Sequence, residues 1–473
     1  MWQLRALFLT VLLCCNYARA DSLSSTRPFG DNATVFVMFS ACANLVTNQF
    51  LLLYSEVERS EIFYNLYSSD GTAVEEGGTL SIAASSSQEP VCCYNNQEQE
   101  YLVTYINGDT SFPGFAILSK DIAVVLDSIA IDDTVVSNGT VSCAYNSKNN
   151  EYIIAWVRTN GKVGFTVIDA QGETVVPVTQ ITGSNVTLSG SPSAYVSYNS
   201  VANQYLLSWQ QEGTPDRAAF AVYNADGMQS VAPRLITTAG CDVAGVRSSY
   251  NSTTNQYLLT WGDGSNNGYF VLYDAAQNEW GATTTFATNV VTSNGLNVYS
   301  SYSPQNNEYF VSWTGTDNGS HFALYDAQGN VSVADTTIPN AGAFGNSSSV
   351  SSAYNPVAGT FLITWLGAVN PNDGEYAVYT RTPEVSSPLN VTAQRLFNRF
   401  ANYGNYFNRI QWTPSSADNV VAYTLYRGGV YINTVGYNQT LYDDNNQPNR
   451  ITGYGVVAVS EDGLQSLPSI TYA

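Results

Sequence analysis

Histidine is nearly missing from this chain of 473 residues, which holds one, His321. A Ser-His-Asp or Cys-His catalytic set would have to be built on it. Its place directly before Phe322, at the start of an apolar strand, reads instead as a strand-end residue. Zinc sites of the His/Cys kind are short of ligands for the same reason. Positive charge is scarce too, with 17 Lys and Arg against 38 Asp and Glu and a formal charge of −21. That balance argues against nucleic acid as a partner, because phosphate binding runs on clustered cations. Helical periodicity is absent from residues 21–473, so no Gly-rich phosphate loop can open a helix. No stretch beyond the first twenty residues reaches the ~18 apolar residues that span a bilayer. No cofactor, metal or membrane span is expected. Charged residues make up only 12% of the chain, while 44% hydrophobic residues are ample for a core.

Repetition is what the chain has in quantity. Ser352–Trp365, SAYNPVAGTFLITW, is the clearest of seven copies of one pattern. Aligned on its tyrosine, Ala43, Tyr94, Tyr145, Tyr198, Tyr250, Tyr302 and Tyr354 fall in one column at steps of 51 to 53 residues. Eleven residues on stand Tyr54, Tyr105, Trp156, Trp209, Trp261, Trp313 and Trp365. A fixed period of this size signals a repeat architecture. Each copy reads as four strands. The first ends at the tyrosine column and leads into a turn with Asn95, Asn146, Asn199, Asn251 or Asn355, a residue suited to turns. The second is apolar, as in Gln204–Trp209. The third has the form Phe-x-x-Tyr, as in Phe220–Tyr223, Phe270–Tyr273 and Phe322–Tyr325, with Tyr376–Tyr379 as its variant. The fourth carries a late isoleucine: Ile82, Ile181, Ile236 or Ile338.

Four strands about every 52 residues, seven times over, predict an all-β chain folded as a seven-bladed β-propeller. Its first strands are expected innermost, since the Ser, Ala and Cys before each tyrosine suit a crowded channel. The recurring Trp and Phe-x-x-Tyr aromatics are expected between blades. The seventh copy runs into Thr380–Pro388 with no room for a fourth strand, so Ser24–Gly30 is expected to supply it and lock the ring.

Met1–Ala20 has Arg5 ahead of an apolar run and ends in Tyr17-Ala-Arg-Ala20, the small-x-small pattern of a signal peptide. The mature chain is expected to begin at Asp21, exported and soluble, with the propeller over 21–385. Five cysteines follow the leader: Cys42, Cys92, Cys93, Cys143 and Cys241. Cys42 and Cys93 share one repeat column, and Cys92 and Cys143 share its neighbour. Two readings stand. These are small buried residues on a crowded strand, or a bridge such as Cys92–Cys143 joins adjacent blades, which needs Cα atoms within ~7 Å. Nine Asn-x-Ser/Thr sequons, from Asn32 to Asn438, are close to the number that chance predicts in so Asn-rich a chain.

The period stops at Pro388. Within 386–473 come Trp412, Val421–Arg427 with Tyr-x-Leu-Tyr-Arg, Tyr454–Val459 with Tyr-x-Val-x-Ala-Val, and a Gly463-x-x-Ser466 turn. In that order these motifs resemble a fibronectin type III domain, which implies a β-sandwich of about this length. The repeats are similar to those of exported bacterial-type propeller proteins, often coupled to fibronectin type III or other adhesive modules. The Gly-His and Trp-Asp pairs of WD40 blades, the Gly-Gly pair of kelch and the Ser-x-Asp-x-Gly-x-x-Trp box of sialidases are absent.

The loops between second and third strands carry Asp109, Asp216, Asp263, Asp317 and Asp373, roughly one per blade. Loops of one type share a propeller face, so these acids read as a ligand-binding surface or, more plainly, as turn residues. Trp280 has no counterpart in other copies and is a further candidate contact, or else outer-strand packing. Together these point to a secreted or cell-surface binding and adhesion protein that takes a protein or glycan ligand through a propeller face, with no catalytic residues assigned. The alternative is an extracellular, glycosidase-like enzyme using paired loop carboxylates, which must lie within ~5–10 Å of each other.

Overall fold

The computed structural model describes residues 21–29, 36–56, 61–80, 82, 89–108, 110–132, 139–188, 192–236, 240–241, 245–291, 298–317, 319–342, 350–366, 374–383, 385–400, 403–417, 419–445, 447 and 452–473. The expected leader, 1–20, lies outside them, as do Gly30, Asp109 and Asp373. Every regular element among the described residues is a strand.

Up to Thr380 the described strands form seven antiparallel sheets. The third is typical, with strands Ser142–Asn146, Glu151–Val157, Val163–Asp169 and Thr174–Gln180 in sequence order. The first strands touch their neighbours in succession, and Val350–Asn355 of the seventh sheet touches Phe36–Asn44 of the first, so the sheets close a ring around these innermost strands. The aromatic column on the second strands is wholly interior, with Trp156, Trp209, Trp261, Trp313 and Trp365 all at 0% exposure. The third-strand aromatics fill the space between sheets in a repeating way: Phe220 meets Tyr273 at 4.7 Å, Phe270 meets Tyr325 at 4.9 Å and Phe322 meets Tyr379 at 4.9 Å. Tilted pairs at this spacing suit the ring quadrupoles.

The seventh sheet has three strands of its own, Val350–Asn355, Thr360–Leu366 and Gly374–Thr380, and its outer strand comes from the other end of the chain. Ser22–Leu23 pairs with Tyr379 and Thr380, and Arg27–Phe29 pairs with Gly374, Glu375 and Tyr376. The closing segment thus begins two residues earlier than Ser24. Asp21 adds to the seam, accepting hydrogen bonds from the Thr382 amide at 2.9 Å and Arg381 Nη1 at 2.7 Å.

Neighbouring inner strands meet at a one-residue stagger, which corrects the Cys92–Cys143 pairing considered from the sequence. The bridge that the structure shows between neighbouring sheets is Cys42–Cys92, with Cα atoms 5.9 Å apart; Cys93, Cys143 and Cys241 are outside it. The residue one before the tyrosine column faces the residue two before it on the next strand.

Beyond the ring, Leu389–Phe400, Tyr403–Thr413 and Leu441–Asn445 form a three-stranded sheet. Val430–Gly436, Val420–Arg427, Gly453–Ser460 and Ser469–Tyr472 form a four-stranded one in that spatial order. Ile410 and Trp412 of the first pack with Tyr423, Leu425, Tyr454 and Val456 of the second, and Val385 belongs to the same core.

Candidate functional site

The ring has two faces, set by which strand connections emerge there. On one lie the turns between first and second strands. Their asparagines act twice. Asn146 Oδ1 accepts from the amides of Lys148 at 3.0 Å and Asn149 at 3.1 Å, capping its own turn. Its Nδ2 donates to Asn203 Oδ1 at 3.0 Å on the next sheet. The same bond recurs as Asn95–Asn150 at 2.9 Å, Asn199–Asn255 at 2.8 Å and Asn251–Asn307 at 2.7 Å. The accepting asparagines sit at φ between 54° and 60°, the left-handed region that Asn tolerates better than other side chains. The tyrosine column donates to the same acceptors, as from Tyr198 to Asn203 at 3.0 Å and from Tyr250 to Asn255 at 3.0 Å. A belt of amides thus ties sheet to sheet.

The belt stops at the sixth sheet, where Ser303 replaces the capping asparagine, and at the seventh, where Gly359 replaces the left-handed one. Gln305 takes over there, accepting from Tyr354 and donating to the Pro356 carbonyl at 2.8 Å. Its own carbonyl accepts the Gln465 amide at 3.0 Å, and the C-terminal sheets dock on this face. Between them and the ring lies a cavity of about 440 Å³, lined by residues such as Leu45, Pro304, Val357, Tyr426, Gln465 and Tyr472 and, among the described residues, by no charged side chain.

The opposite face carries the loops between second and third strands. At this end of the channel Arg247, the first residue of the fifth inner strand, lies between the rings of Tyr195 and Tyr299, its guanidinium carbon 4.0 and 3.9 Å from their centres. It reaches Glu89 Oε1 at 3.1 Å and Oε2 at 3.3 Å, and Thr140 donates to the same carboxylate at 2.9 Å. Burial pushes the Glu89 carboxyl up, opposed by the Arg247 charge and by the hydrogen bonds from Thr140 and Arg247. This buried pair braces the fifth sheet against the second.

The structure places the three described acids in separate loops. Asp216 accepts from Thr187 Oγ1 at 2.7 Å, Gln210 Nε2 at 2.8 Å and the Gly213 amide at 2.8 Å. Asp263 accepts from the Ser265 and Asn267 amides at 2.8 and 2.9 Å and from Tyr269 at 2.9 Å. Burial alone would raise the Asp263 carboxyl, but the hydrogen bonds from Asn267, Ser265 and Tyr269 outweigh it and hold it below its ordinary 3.8. Asp317 is likewise held down against its burial by the Gly319 amide and His321. His321 Nε2 lies 3.1 Å from Asp317, and its Nδ1 lies 2.9 Å from Asp335, both carboxylates half exposed at 55% and 51%. Trp280 stands apart from these acids, at the other end of its sheet, edge-on to Phe220 at 6.0 Å and beneath Arg234 at 5.4 Å. Among the described residues no group of three or more His, Cys, Asp or Glu could hold a metal ion.

One third-strand position gathers polar chemistry that the sequence reading missed, the residue paired with the buried aromatic column. In the second, third and fourth sheets it is Gly114, Gly164 and Ala219. In the fifth, sixth and seventh it is Tyr269, His321 and Glu375. Tyr269 stacks on Trp261 at 5.9 Å and His321 on Trp313 at 5.5 Å, while Trp365 Nε1 donates to Glu375 at 2.9 Å. Both rings are thus fixed flat beside a carboxylate, half exposed at Asp317 and less so at Asp263, with the His321 ring itself buried. Counting 19 residues on from Tyr250 and Tyr302 would have shown the two as one column.

No family profile and no curated protein matches the chain. Solved structures do. The BP39L lectin of Burkholderia pseudomallei aligns with a TM-score of 0.58 at 12% identity, over 74% of this chain and 99% of that one. The fungal lectin of Aleuria aurantia, a six-bladed β-propeller, aligns at 0.43 and 10% identity, over 66% and 98%. The fold is a β-propeller. AofleA of Arthrobotrys oligospora aligns at 0.47 and 10% identity, over 67% and 90%. No helix of the propeller or of the C-terminal sheets, among the described residues, is long and apolar enough to cross a membrane.

Proposed function

We propose that this chain is a secreted or cell-surface adhesion protein that binds glycans through the exposed face of a seven-bladed propeller. Residues 1–20 serve as its signal peptide, 21–385 as the propeller and 386–473 as a fibronectin type III-like spacer. The seven ring sheets, the 3 + 4 strand order of the C-terminal sheets and the disulfide support that division. Several proteins of similar fold being lectins accords with a glycan ligand.

One observation carries the reading. In two adjacent sheets a loop carboxylate reaches the surface beside a ring stacked on tryptophan: Asp263 beside the partly exposed Tyr269, and the half-exposed Asp317 held by His321, whose own ring is buried. A sugar presents hydroxyl donors on its edge and an apolar C–H face; Asp263 with Tyr269 meets both with little ordering cost, while the sixth sheet offers the edge its two exposed carboxylates, Asp317 and Asp335. Asp216 is the polar edge of the same face, and Asp109 and Asp373 belong to loops of the same class. Trp280, toward the opposite side, serves as a separate contact only if a ligand wraps the rim.

The test is a glycan array probed with residues 21–473, repeated with Asp263→Asn, Asp317→Asn and Tyr269→Ala. Binding should fall at least tenfold in each variant. Undiminished binding in the Asp263→Asn/Asp317→Asn double variant sinks the reading. Capture of a protein but of no glycan replaces the ligand class, and release of shortened sugar makes the protein a glycosidase.

A further inference from the structure

We propose that Cys93 and Cys143 form a second disulfide, joining the second sheet to the third as Cys42–Cys92 joins the first to the second. The argument is one of position. Cys42 stands one residue before the tyrosine column, at Ala43, and Cys92 stands two before it, at Tyr94; their Cα atoms are 5.9 Å apart. Cys93 stands one before Tyr94 and Cys143 two before Tyr145, the same relation one step farther round the ring. Wherever hydroxyls occupy these two places the stagger brings them into contact. Ser197 Oγ meets Ser248 Oγ at 2.7 Å, and Ser301 Oγ meets Ser352 Oγ at 2.8 Å. Cys93 packs against the hydrophobic cluster that contains Cys143, and the two inner strands touch. Backbones that place one such pair within bridging reach place the next there too.

The cysteine count agrees. Two bridges between neighbouring inner strands use four of the five cysteines beyond residue 20 and leave Cys241, buried within the hydrophobic cluster between the fourth and fifth sheets. Forming the bond removes two protons and two electrons. A small-molecule disulfide such as oxidised glutathione accepts them: one protein thiolate attacks it and releases one glutathione, and the second cysteine then displaces the other from the mixed disulfide. Burial pushes the Cys93 thiol well above its usual range, so little thiolate exists once the strands have packed, and exchange belongs to the folding chain.

Residues 21–473 refolded in a glutathione redox buffer, then denatured and alkylated without prior reduction, should label one cysteine, Cys241. Proteolysis should recover the Cys42 and Cys143 peptides both attached to the peptide holding Cys92 and Cys93. Cys93→Ser should label two, Cys143 and Cys241, and Cys42→Ser/Cys92→Ser should still label Cys241 alone. If that double variant does not fold, stepwise partial reduction of the wild-type chain assigns the bonds instead. Three labelled thiols in the wild type, or Cys143 joined to any partner other than Cys93, overturns the proposal.

Discussion

The two faces of the ring are built by different rules. On the turn face the same bond recurs from sheet to sheet, asparagine amide to left-handed asparagine, with the tyrosine column donating to the same oxygen. On the opposite face the position beside the buried aromatic is Gly114, Gly164 or Ala219 along one arc and Tyr269, His321 or Glu375 along the other. Repetition marks what four successive junctions between sheets share. Variation marks what closure does not require, and that is where a ligand can be recognised. The C-terminal sheets dock where the belt is broken, at Gln305, which fits the same division.

The largest test of the rule is its exception, the unrepeated Arg247–Glu89 pair on the varied face. Arg247→Ala leaves a buried carboxylate unpaired and should cost about 3–5 kcal/mol in denaturant unfolding. A loss under ~1 kcal/mol would show that the brace is not structural. Next comes the belt. Asn199→Ala removes a bond to Asn255 and leaves the Val201 and Ala202 amides without their acceptor, so about 2 kcal/mol should be lost with glycan binding unchanged. Weaker binding in that variant would merge the two faces into one system.

On the varied face the expected effects move from stability to binding. Asp263 and Asp317 have folded values depressed below 3.8, so their contribution is complete above that pH and disappears as pH falls through the lower folded values. Glycan binding should therefore be flat in these two groups from neutrality down to about pH 4 and collapse beneath it, as read by titration on an immobilised glycan. A loss of binding already at pH 6 would transfer the role to another group. Smallest of all, Lys120→Ala breaks an exposed ion pair with Asp121 on a third-to-fourth strand turn and should change stability by less than about 0.5 kcal/mol in a thermal melt.

What the sequence disclosed follows from period. Residues repeated every 52 or so positions meet identical surroundings, so the inner strands, the buried Trp column and the Phe-x-x-Tyr contacts could be read from spacing alone. The cysteine partner could not, because the stagger between neighbouring strands is a property of the closed ring. Nor could Glu89–Arg247, whose members lie 158 residues apart, one ahead of the second sheet and the other at the start of the fifth inner strand. Aspartate misled in a different way. It serves turns and ligands equally, and the Asp216 and Asp263 carboxylates bond first to their own loops. The signal beside them was Tyr269 and His321, two dissimilar residues in one repeat column, a likeness of place and not of type.

The strand that completes the seventh sheet has a kinetic consequence. Ser22–Leu23 and Arg27–Phe29 find their partners some 350 residues downstream, so the first-made segment must wait, unpaired, until the seventh sheet exists. Six sheets can assemble by local pairing as the chain emerges, but the last step joins distant ends and carries the largest loop-closure cost. Until then Gly374–Thr380 has an open edge that another molecule's N-terminal strand fits equally well. At high concentration, refolding should yield strand-exchanged dimers, and deleting residues 21–29 should leave the Gly374–Thr380 edge of the seventh sheet unpaired and the chain prone to aggregate.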